Sequence, residues 1–152
     1  MHRGIIALAL LSAVSAFGQK PDFTGTWKQI GRSGTVRIDK IEHKEPYLKV
    51  VTDTRSAPGS TARLFVAFME TNEYTIDGEE KATTGANGRQ AWSTIEWQGS
   101  DLVLLKIVKD GYRVTVNRET WALSDDGKTL TRATRVINMD GVTESALTFE
   151  RQ

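Results

Sequence analysis

The chain has 152 residues, with 20 Lys or Arg and 19 Asp or Glu, so its formal net charge is +1 at neutral pH. This length suits one domain with one core. The two signs of charge are mixed along the chain, which excludes the basic face that a nucleic-acid-binding protein needs. There is no cysteine, so a disulfide framework is excluded and core burial must supply the stability.

The first 18 residues are predicted to be a signal peptide. A basic start at Arg3 precedes an apolar run from Ile5 to Val14, and Ser15-Ala16-Phe17-Gly18 offers small residues to a peptidase. The apolar run is too short for a transmembrane helix, and no later segment has about 20 uninterrupted apolar residues. We therefore expect one domain over 19–152, secreted or periplasmic, without a membrane span or a lipid-attachment Cys.

The rest of the chain is predicted to be all-β, because β-branched and aromatic residues are dense and turn pairs recur at regular intervals. The turn pairs are Asp77-Gly78, Asn87-Gly88, Gln98-Gly99, Asp110-Gly111, Asp126-Gly127 and Asp140-Gly141. Such pairs favour tight hairpins, so successive strands should be antiparallel neighbours in an up-and-down meander. The predicted strands are 24–30, 35–43, 47–54, 62–71, 73–76, 89–97, 102–109, 112–123, 129–138 and 142–151.

Two of these strands change the parity of their apolar residues part way along. In 35–43 and in 112–123, apolar residues stand at even positions first and at odd positions later. A β-bulge shifts parity by one residue, so we expect one near Lys40 and another near 117–119. Segments 62–69 and 102–108 are apolar on both parities, which indicates either a second small core or an exposed patch for a partner.

Gly25-Thr26-Trp27 lies at the start of the first predicted strand. An indole buries a large apolar area, and its N–H can bond a backbone carbonyl at a barrel end. Gly25 leaves room for a neighbouring strand or side chain to come close. We expect Trp27 to be buried and to anchor the fold.

This Gly-x-Trp near the start of an all-β chain resembles the lipocalin-like (calycin) families. Further segments are similar to those of small, exported, uncharacterised bacterial proteins with a lipocalin-like domain: Pro21 to Lys28, Lys40 to Lys44, Leu48 to Val50 and Leu123 to Thr131. The resemblance spans the mature chain and implies a lipocalin-like or fatty-acid-binding-protein-like barrel of about eight to ten strands. It also implies that Trp27 plugs the closed end with a basic residue across it, here Arg151 or Arg135, and that the activity is either unknown or generic ligand binding.

Metal and catalytic chemistry find little support. His43 is the only His after the predicted signal peptide, and no Cys is present to complete a zinc site. No Gly-x-Ser-x-Gly elbow or second His supports a catalytic triad. We expect no metal, no cofactor and no enzymatic activity, although two interior carboxylates about 5 to 10 Å apart would reopen the enzymatic reading.

The expected function is binding of a small apolar or amphipathic molecule inside the barrel. Arg135 is the predicted anchor for an acidic head group, and the short connection 31–34 offers little lid, so affinity should be modest. The alternative is a cell-envelope interaction or structural module whose barrel is filled by its own side chains. The ligand-binding candidates are Phe65, Phe68, Trp92, Trp97, Leu104, Val114 and Trp121, and the inward set also includes Leu147 and Phe149.

Overall fold

A computed structural model describes residues 20–31, 34–59, 67–85 and 88–152. The predicted signal peptide and Phe65 lie outside this part of the chain. Among the described residues, no helix is long and apolar enough to cross a membrane. Ten strands are present there: β1 (Gly25–Gln29), β2 (Thr35–Lys44), β3 (Tyr47–Ser56), β4 (Ala67–Thr75), β5 (Lys81–Thr84), β6 (Gln90–Gln98), β7 (Asp101–Asp110), β8 (Arg113–Leu123), β9 (Thr129–Asn138) and β10 (Gly141–Arg151).

The strands form one antiparallel sheet in the order β4-β3-β2-β1-β10-β9-β8-β7-β6-β5. Strands that are neighbours in sequence are neighbours in the sheet except for β4 and β5, and the first and last strands also pair. β1 pairs with both β2 and β10, which brings the two ends of the meander together. β4 and β5 are not hydrogen-bonded to each other, which leaves one open seam. The predicted all-β up-and-down meander is confirmed.

The strand bounds differ from the prediction around this seam. Segments 62–71 and 73–76 were expected as separate strands, but β4 runs unbroken to Thr75, with Asn72 paired to Val50 of β3. No Gly or Pro separates Thr71 from Glu73, so nothing ends the strand there. The prediction missed β5, because its sequence Lys-Ala-Thr-Thr contains no large apolar residue.

The two predicted bulges are wrong. β2 and β3 pair continuously over ten residue pairs, and β8 pairs continuously with both β7 and β9. Directly opposed residues share a face of the sheet, so the register places Arg37 and Asp39 of β2 and Asn117 and Glu119 of β8 on the inner face. Parity changes because, in chain order, the inner face of each strand turns from polar to apolar while its outer face turns from apolar to polar.

The core fills one end of the barrel, where β1 starts and β10 ends. Phe23, on the segment before β1, is buried together with inner-face residues of seven strands. These strand residues are Trp27, Ile41, Leu48, Val50, Leu102, Trp121, Leu130 and Phe149. The core therefore closes this end and leaves the other half of the interior to more polar side chains.

The two segments that are apolar on both parities, 62–69 and 102–108, belong only in part to the core. In β7, Leu102 and Leu104 lie on the inner face, whereas Leu105 and Ile107 lie on the outer face. In segment 62–69, only 67–69 is described, and those residues are exposed. The apolar outer residues of β7 thus belong to the barrel exterior.

Candidate functional site

The closed end is organised around Trp27. Its Nε1–H donates a hydrogen bond to the carbonyl oxygen of Phe23 at 2.9 Å, and the guanidinium of Arg151 lies 4.5 Å from the ring centroid. A Cβ on Gly25 would meet Trp27 and Arg151 only at ordinary contact distances, but its φ of +148° is one that other residues rarely adopt. Glycine is therefore required there by conformation rather than by space.

Three more aromatic residues pack at this end: Phe23, Trp97 and Trp121. We call these three residues and Trp27 the plug. Phe23 stacks on Trp97 with centroids 5.8 Å apart and meets the edge of Trp121 at 5.7 Å. His43 Nδ1 accepts a hydrogen bond from the Phe23 backbone N–H at 3.3 Å. These contacts assign His43 a structural role at the closed end.

An ionic cluster of Arg37, Asp39, Glu119 and Arg132 lies directly on the plug. The buried carboxylate of Asp39 accepts hydrogen bonds from Arg37 at 2.9 and 3.0 Å and from Arg132 at 2.9 Å. Glu119 accepts one from Arg132 at 2.5 Å and one from the indole N–H of Trp121 at 2.7 Å. Arg132 therefore joins two carboxylates from two different strands.

The charges of this cluster cancel. It holds two guanidinium groups and two carboxylates, and Arg132 also lies over the Trp121 ring at 4.3 Å while Arg37 lies over Phe149 at 5.5 Å. A buried ion pair is tolerated only when its members satisfy one another, and an unpaired buried charge is strongly destabilising. The interior arginines are thus already engaged and serve to hold the fold.

The cluster does bring two interior carboxylates together, but not in the arrangement that acid–base catalysis uses. In such sites the two carboxyl groups face each other across the substrate. Here Asp39 and Glu119 both bind the same guanidinium of Arg132. Of the two, only Glu119 borders the neighbouring cavity.

An interior cavity of about 340 Å³ lies between β4 on one side and β5, β6, β7 and β8 on the other. This volume falls within the range of small-molecule sites. Ile95 and Leu104 form its apolar wall, and most of the remaining lining is polar. The inner-face residues that line it are Asn72, Tyr74, Thr83, Ala91, Ser93, Ile95, Leu104, Lys106, Asn117 and Glu119.

Tyr74 and Lys106 give the cavity its titratable polar groups besides Glu119. Burial raises the pKa of the Tyr74 phenol above its ordinary value, so the hydroxyl keeps its proton further into the alkaline range than a free tyrosine does. Lys106 lies opposite Ser93 and Asn117 in the ladders and is exposed to solvent. Among the described residues, no ion pair engages the Lys106 ammonium, which makes it an available cation on the cavity wall.

A larger depression of about 580 Å³ lies beside the β2–β3 hairpin. Most of its lining is on the outer face and charged or exposed, including Glu42, Lys44, Tyr47, Lys49 and Glu73. It is more open to solvent than the interior cavity, which lies between strands. The interior cavity is therefore the better candidate for a ligand site.

Four of the predicted ligand-binding residues lie on the inner face, but only one of them lines the cavity. Leu104 forms part of its wall. Trp97 and Trp121 pack in the aromatic plug. Phe68 lies far from the plug and is 51% exposed. The structure therefore does not gather these four side chains into one site.

The expected inward orientation of Trp92 and Val114 is wrong. Trp92 pairs with Ile107, and Val114 pairs with Lys109, so both lie on the outer face. Arg135 is also outside, opposite Arg118 in the ladder and 3.3 Å from Glu144. The proposed bulge near 117–119 had shifted the expected face of β8, and without it the even-numbered residues of β8 face outward.

Sequence reasoning missed most of the cavity wall. Asn72, Ser93, Lys106 and Asn117 are polar residues on strands, where a solvent-facing position is the usual interpretation. Their alignment appears only through the register, which places Ser93, Lys106 and Asn117 in one cross-strand row. Counting inner positions back from the partly buried Trp97 and the buried Trp121 in steps of two would have found this row.

No family model matches the chain, and no curated protein matches it. Solved structures do. A zebrafish ileal bile acid-binding protein complexed with cholic acid has a TM-score of 0.53 and 13% identity, over 86% of this chain and 98% of that one. The REP1-NXSQ fatty acid transporter has a TM-score of 0.53 and 12% identity, over 85% and 95%.

A third similar structure is secretory abundant heat soluble protein 4 from Ramazzottius varieornatus, with a TM-score of 0.53 and 13% identity, over 85% of this chain and 94% of that one. At such identities the similarity shows the fold alone. The chain has an all-β, ten-stranded antiparallel meander that matches the barrel fold of fatty-acid-binding proteins, with a seam between β4 and β5.

Proposed function

We propose that the chain binds a small amphipathic molecule in the interior cavity. The observation that carries this proposal is the space of about 340 Å³ left between β4 and β5–β8, next to a core that is otherwise filled by its own side chains. A site with an apolar wall and a few converging polar groups is typical of small-ligand binding. Two proteins with a similar fold are named for bile acid binding and fatty acid transport, which supports the same class of ligand.

The lining suggests how such a ligand is oriented. Its apolar part packs on Ile95 and Leu104, and its polar group points to Ser93, Lys106 and Asn117. Lys106 replaces Arg135 as the anchor of an acidic head group, because Arg135 lies on the outer face and pairs with Glu144. Arg37 and Arg132 do not take this role, since Asp39 and Glu119 already neutralise them.

A matched pair of alanine substitutions tests the site. Ala91 lines the cavity, whereas Ala146 lies on the outer face of β10. Dodecanoate, dodecanol and an apolar dye are titrated against intrinsic tryptophan fluorescence. We expect saturable binding to the parent and to Ala146→Phe, and affinity reduced about tenfold or more in Ala91→Phe because the new ring fills the cavity.

The variant Lys106→Gln distinguishes the contribution of the ligand's acidic head group from that of its alkyl chain. It should weaken dodecanoate binding while leaving dodecanol binding unchanged, because only the carboxylate gains from the ammonium. The proposal fails if no probe gives a saturable change while circular dichroism shows folded protein. It also fails if Ala91→Phe and Ala146→Phe bind every probe alike.

We also propose that the protein is exported. The support is the basic residue, apolar run and small residues that precede residue 19 in the sequence. Expression of the full chain in a bacterium and N-terminal sequencing of the periplasmic fraction test this. We expect a new N-terminus at Phe17 or Gln19, and an intact N-terminus in the cytoplasmic fraction alone would contradict it.

A further inference from the structure

The barrel exterior carries an apolar row that crosses six adjacent strands. Each member is directly opposed to the next in the hydrogen-bonded ladders, one residue from each of β5 to β10. Neighbouring strands are about 4.8 Å apart, so the row is about 24 Å long. We call it the outer row, and its members are Ala82, Trp92, Ile107, Val116, Ile137 and Val142.

The outer row reverses the usual polarity of a half-buried sheet, in which the outward face is polar. Ile107 and Val116 face outward, while Lys106 and Asn117 beside them face the interior cavity. Val142 is 55% exposed and Ile137 is 40% exposed. At this level of the barrel, the outside is more apolar than the inside, and the core does not account for it.

The apolar surface continues from the outer row to two hairpin turns at the end opposite the plug. Val114 lies two residues from Val116 on the same face of β8 and is 43% exposed. Tyr112, in the β7–β8 turn, is 79% exposed, and Met139, in the β9–β10 turn, is 69% exposed. Large apolar side chains at turn tips are costly in water unless something covers them.

The charged groups around this surface have a positive surplus. Those on neighbouring outer positions are Lys109, Arg118, Arg135 and Glu144, and those at the adjoining turns are Arg89, Asp110, Arg113 and Asp140. Five cations thus stand against three carboxylates. Arg135 pairs with Glu144, whereas Arg118 bonds the amide oxygen of Gln98 and Arg113 lies 5.9 Å from the Tyr112 ring.

We propose that the outer row and its two hairpin turns dock onto the surface of a lipid bilayer that contains anionic lipids. Trp and Tyr among aliphatic residues, bordered by Lys and Arg, form the combination that lies at the boundary between acyl chains and head groups. The positive surplus complements the anionic head groups. The turns bearing Tyr112 and Met139 enter the interface first.

The shape of the outer row favours a lipid surface over a second copy of the chain. The row follows one sheet that curves round the interior, so its members point in different directions. A rigid partner covers only part of such a convex band, whereas fluid lipid follows it. The band is also only one to two residues wide, which gives a few hundred Å² against the roughly 800 Å² per partner of a stable interface.

Vesicle binding by the full domain tests the proposal. The protein is mixed with vesicles of phosphatidylcholine alone or of phosphatidylcholine with phosphatidylglycerol, and the bound fraction is measured by sedimentation. We expect Ile137→Ser/Val142→Ser, a directly opposed pair in the outer row, to lower the partition coefficient for the mixed vesicles about tenfold or more. Ala133→Ser/Ala146→Ser, an opposed outer pair on the same two strands, should bind like the parent.

A charge variant gives a second readout. Lys109→Gln/Arg118→Gln should weaken binding to the mixed vesicles and leave the weaker binding to phosphatidylcholine unchanged, because only the anionic lipid gains from the two cations. Three results would overturn the proposal: no binding of the parent to mixed vesicles, equal binding by both serine pairs, or a dimer in light scattering that only Ile137→Ser/Val142→Ser dissociates. Ligand titrations on the same variants are a separate readout, since none of the substituted residues lines the cavity.

Discussion

Arg132 is the residue on which the polar half of the interior depends. Its guanidinium contacts Asp39, Glu119 and the ring of Trp121, and so ties β2, β8 and β9 to the plug. Asp39 is fully buried, so its charge has no water to compensate for a lost partner. The cluster is therefore stable as a set and vulnerable to loss of any member.

Replacing Arg132 with Met should lower the free energy of unfolding by about 3 to 5 kcal/mol, because two interior carboxylates lose their common cation. Urea denaturation at neutral pH measures this. The control is Arg135→Met on the same strand, where an exposed pair with Glu144 is removed and the cost should be about 0 to 1 kcal/mol. Equal midpoints and slopes for the two variants would show that Arg132 has no such role.

Tyr74 gives stability a dependence on alkaline pH. Burial raises the pKa of its phenol in the folded protein. The folded state therefore keeps a proton that the unfolded state releases above its ordinary pKa of about 10, so the free energy of unfolding falls as pH rises beyond that value. Urea midpoints at about pH 8 and about pH 11 should differ less for Tyr74→Phe than for the parent.

The control for this effect is Tyr112→Phe, because Tyr112 is 79% exposed and lies in a turn. Its midpoints should change with pH as the parent's do. The same pH response in all three proteins would mean that Tyr74 does not contribute to it.

Among the strands, β1 is short but makes contacts on both of its edges and in the core. It has five residues, yet it pairs with both β2 and β10 and supplies Trp27 to the plug. The Trp27 side chain is held by Phe23 on one side and by Arg151 on the other. Loss of this one side chain should loosen both ladders that close the barrel.

Trp27→Ala should cost about 3 to 5 kcal/mol in the free energy of unfolding, because it leaves a large cavity in a packed core. Thermal melting followed by circular dichroism detects a change of this size. Lys28→Ala, one position further on the exposed outer face of the same strand, is the control and should melt close to the parent. A Trp27→Ala melting temperature within the range of Lys28→Ala would show that β1 is not anchored by the indole.

The sequence predicts the strands well where turn chemistry and apolar content agree. Asp110-Gly111 and Asp126-Gly127 mark the ends of β7 and β8 closely. It fails for β5, whose short polar sequence takes its strand form only from pairing with β6. It also fails in the middle of β2 and β8, because a parity change caused by buried charges has the same pattern as a bulge.

For the molecule as a whole, the seam between β4 and β5 is the place where the barrel is not held by a ladder. Within the part of the chain that the structure describes, backbone N–H groups of β4 that point away from β3 have no strand partner. Hydrogen exchange followed by NMR should therefore show fast exchange for alternate amides of β4 and slow exchange throughout the middle of β8, which pairs on both sides. Uniform protection along β4, equal to that of β8, would contradict an open seam.

The candidate site was less accessible to sequence reasoning than the fold. The plug could be anticipated in part: residue type pointed to Gly25 and Trp27, and the resemblance to lipocalin-like proteins offered Arg151 or Arg135 as the cation across the indole. The cavity wall could not, since it consists of ordinary polar strand residues such as Ser93 and Asn117. Only the register across four strands shows that they share one interior.

The pairing of β1 with β10 has a consequence for how the protein is made. Phe149 and Arg151, which complete the surroundings of Trp27, are in the last strand. As the chain leaves the ribosome, β1 can meet β2 early, but the indole has no cover until synthesis reaches the final residues of β10. Contacts between such distant parts of a chain form slowly. The indole of Trp27 therefore stays uncovered from its own synthesis until β10 has been made, and a chaperone that binds exposed apolar side chains can reach it in that interval.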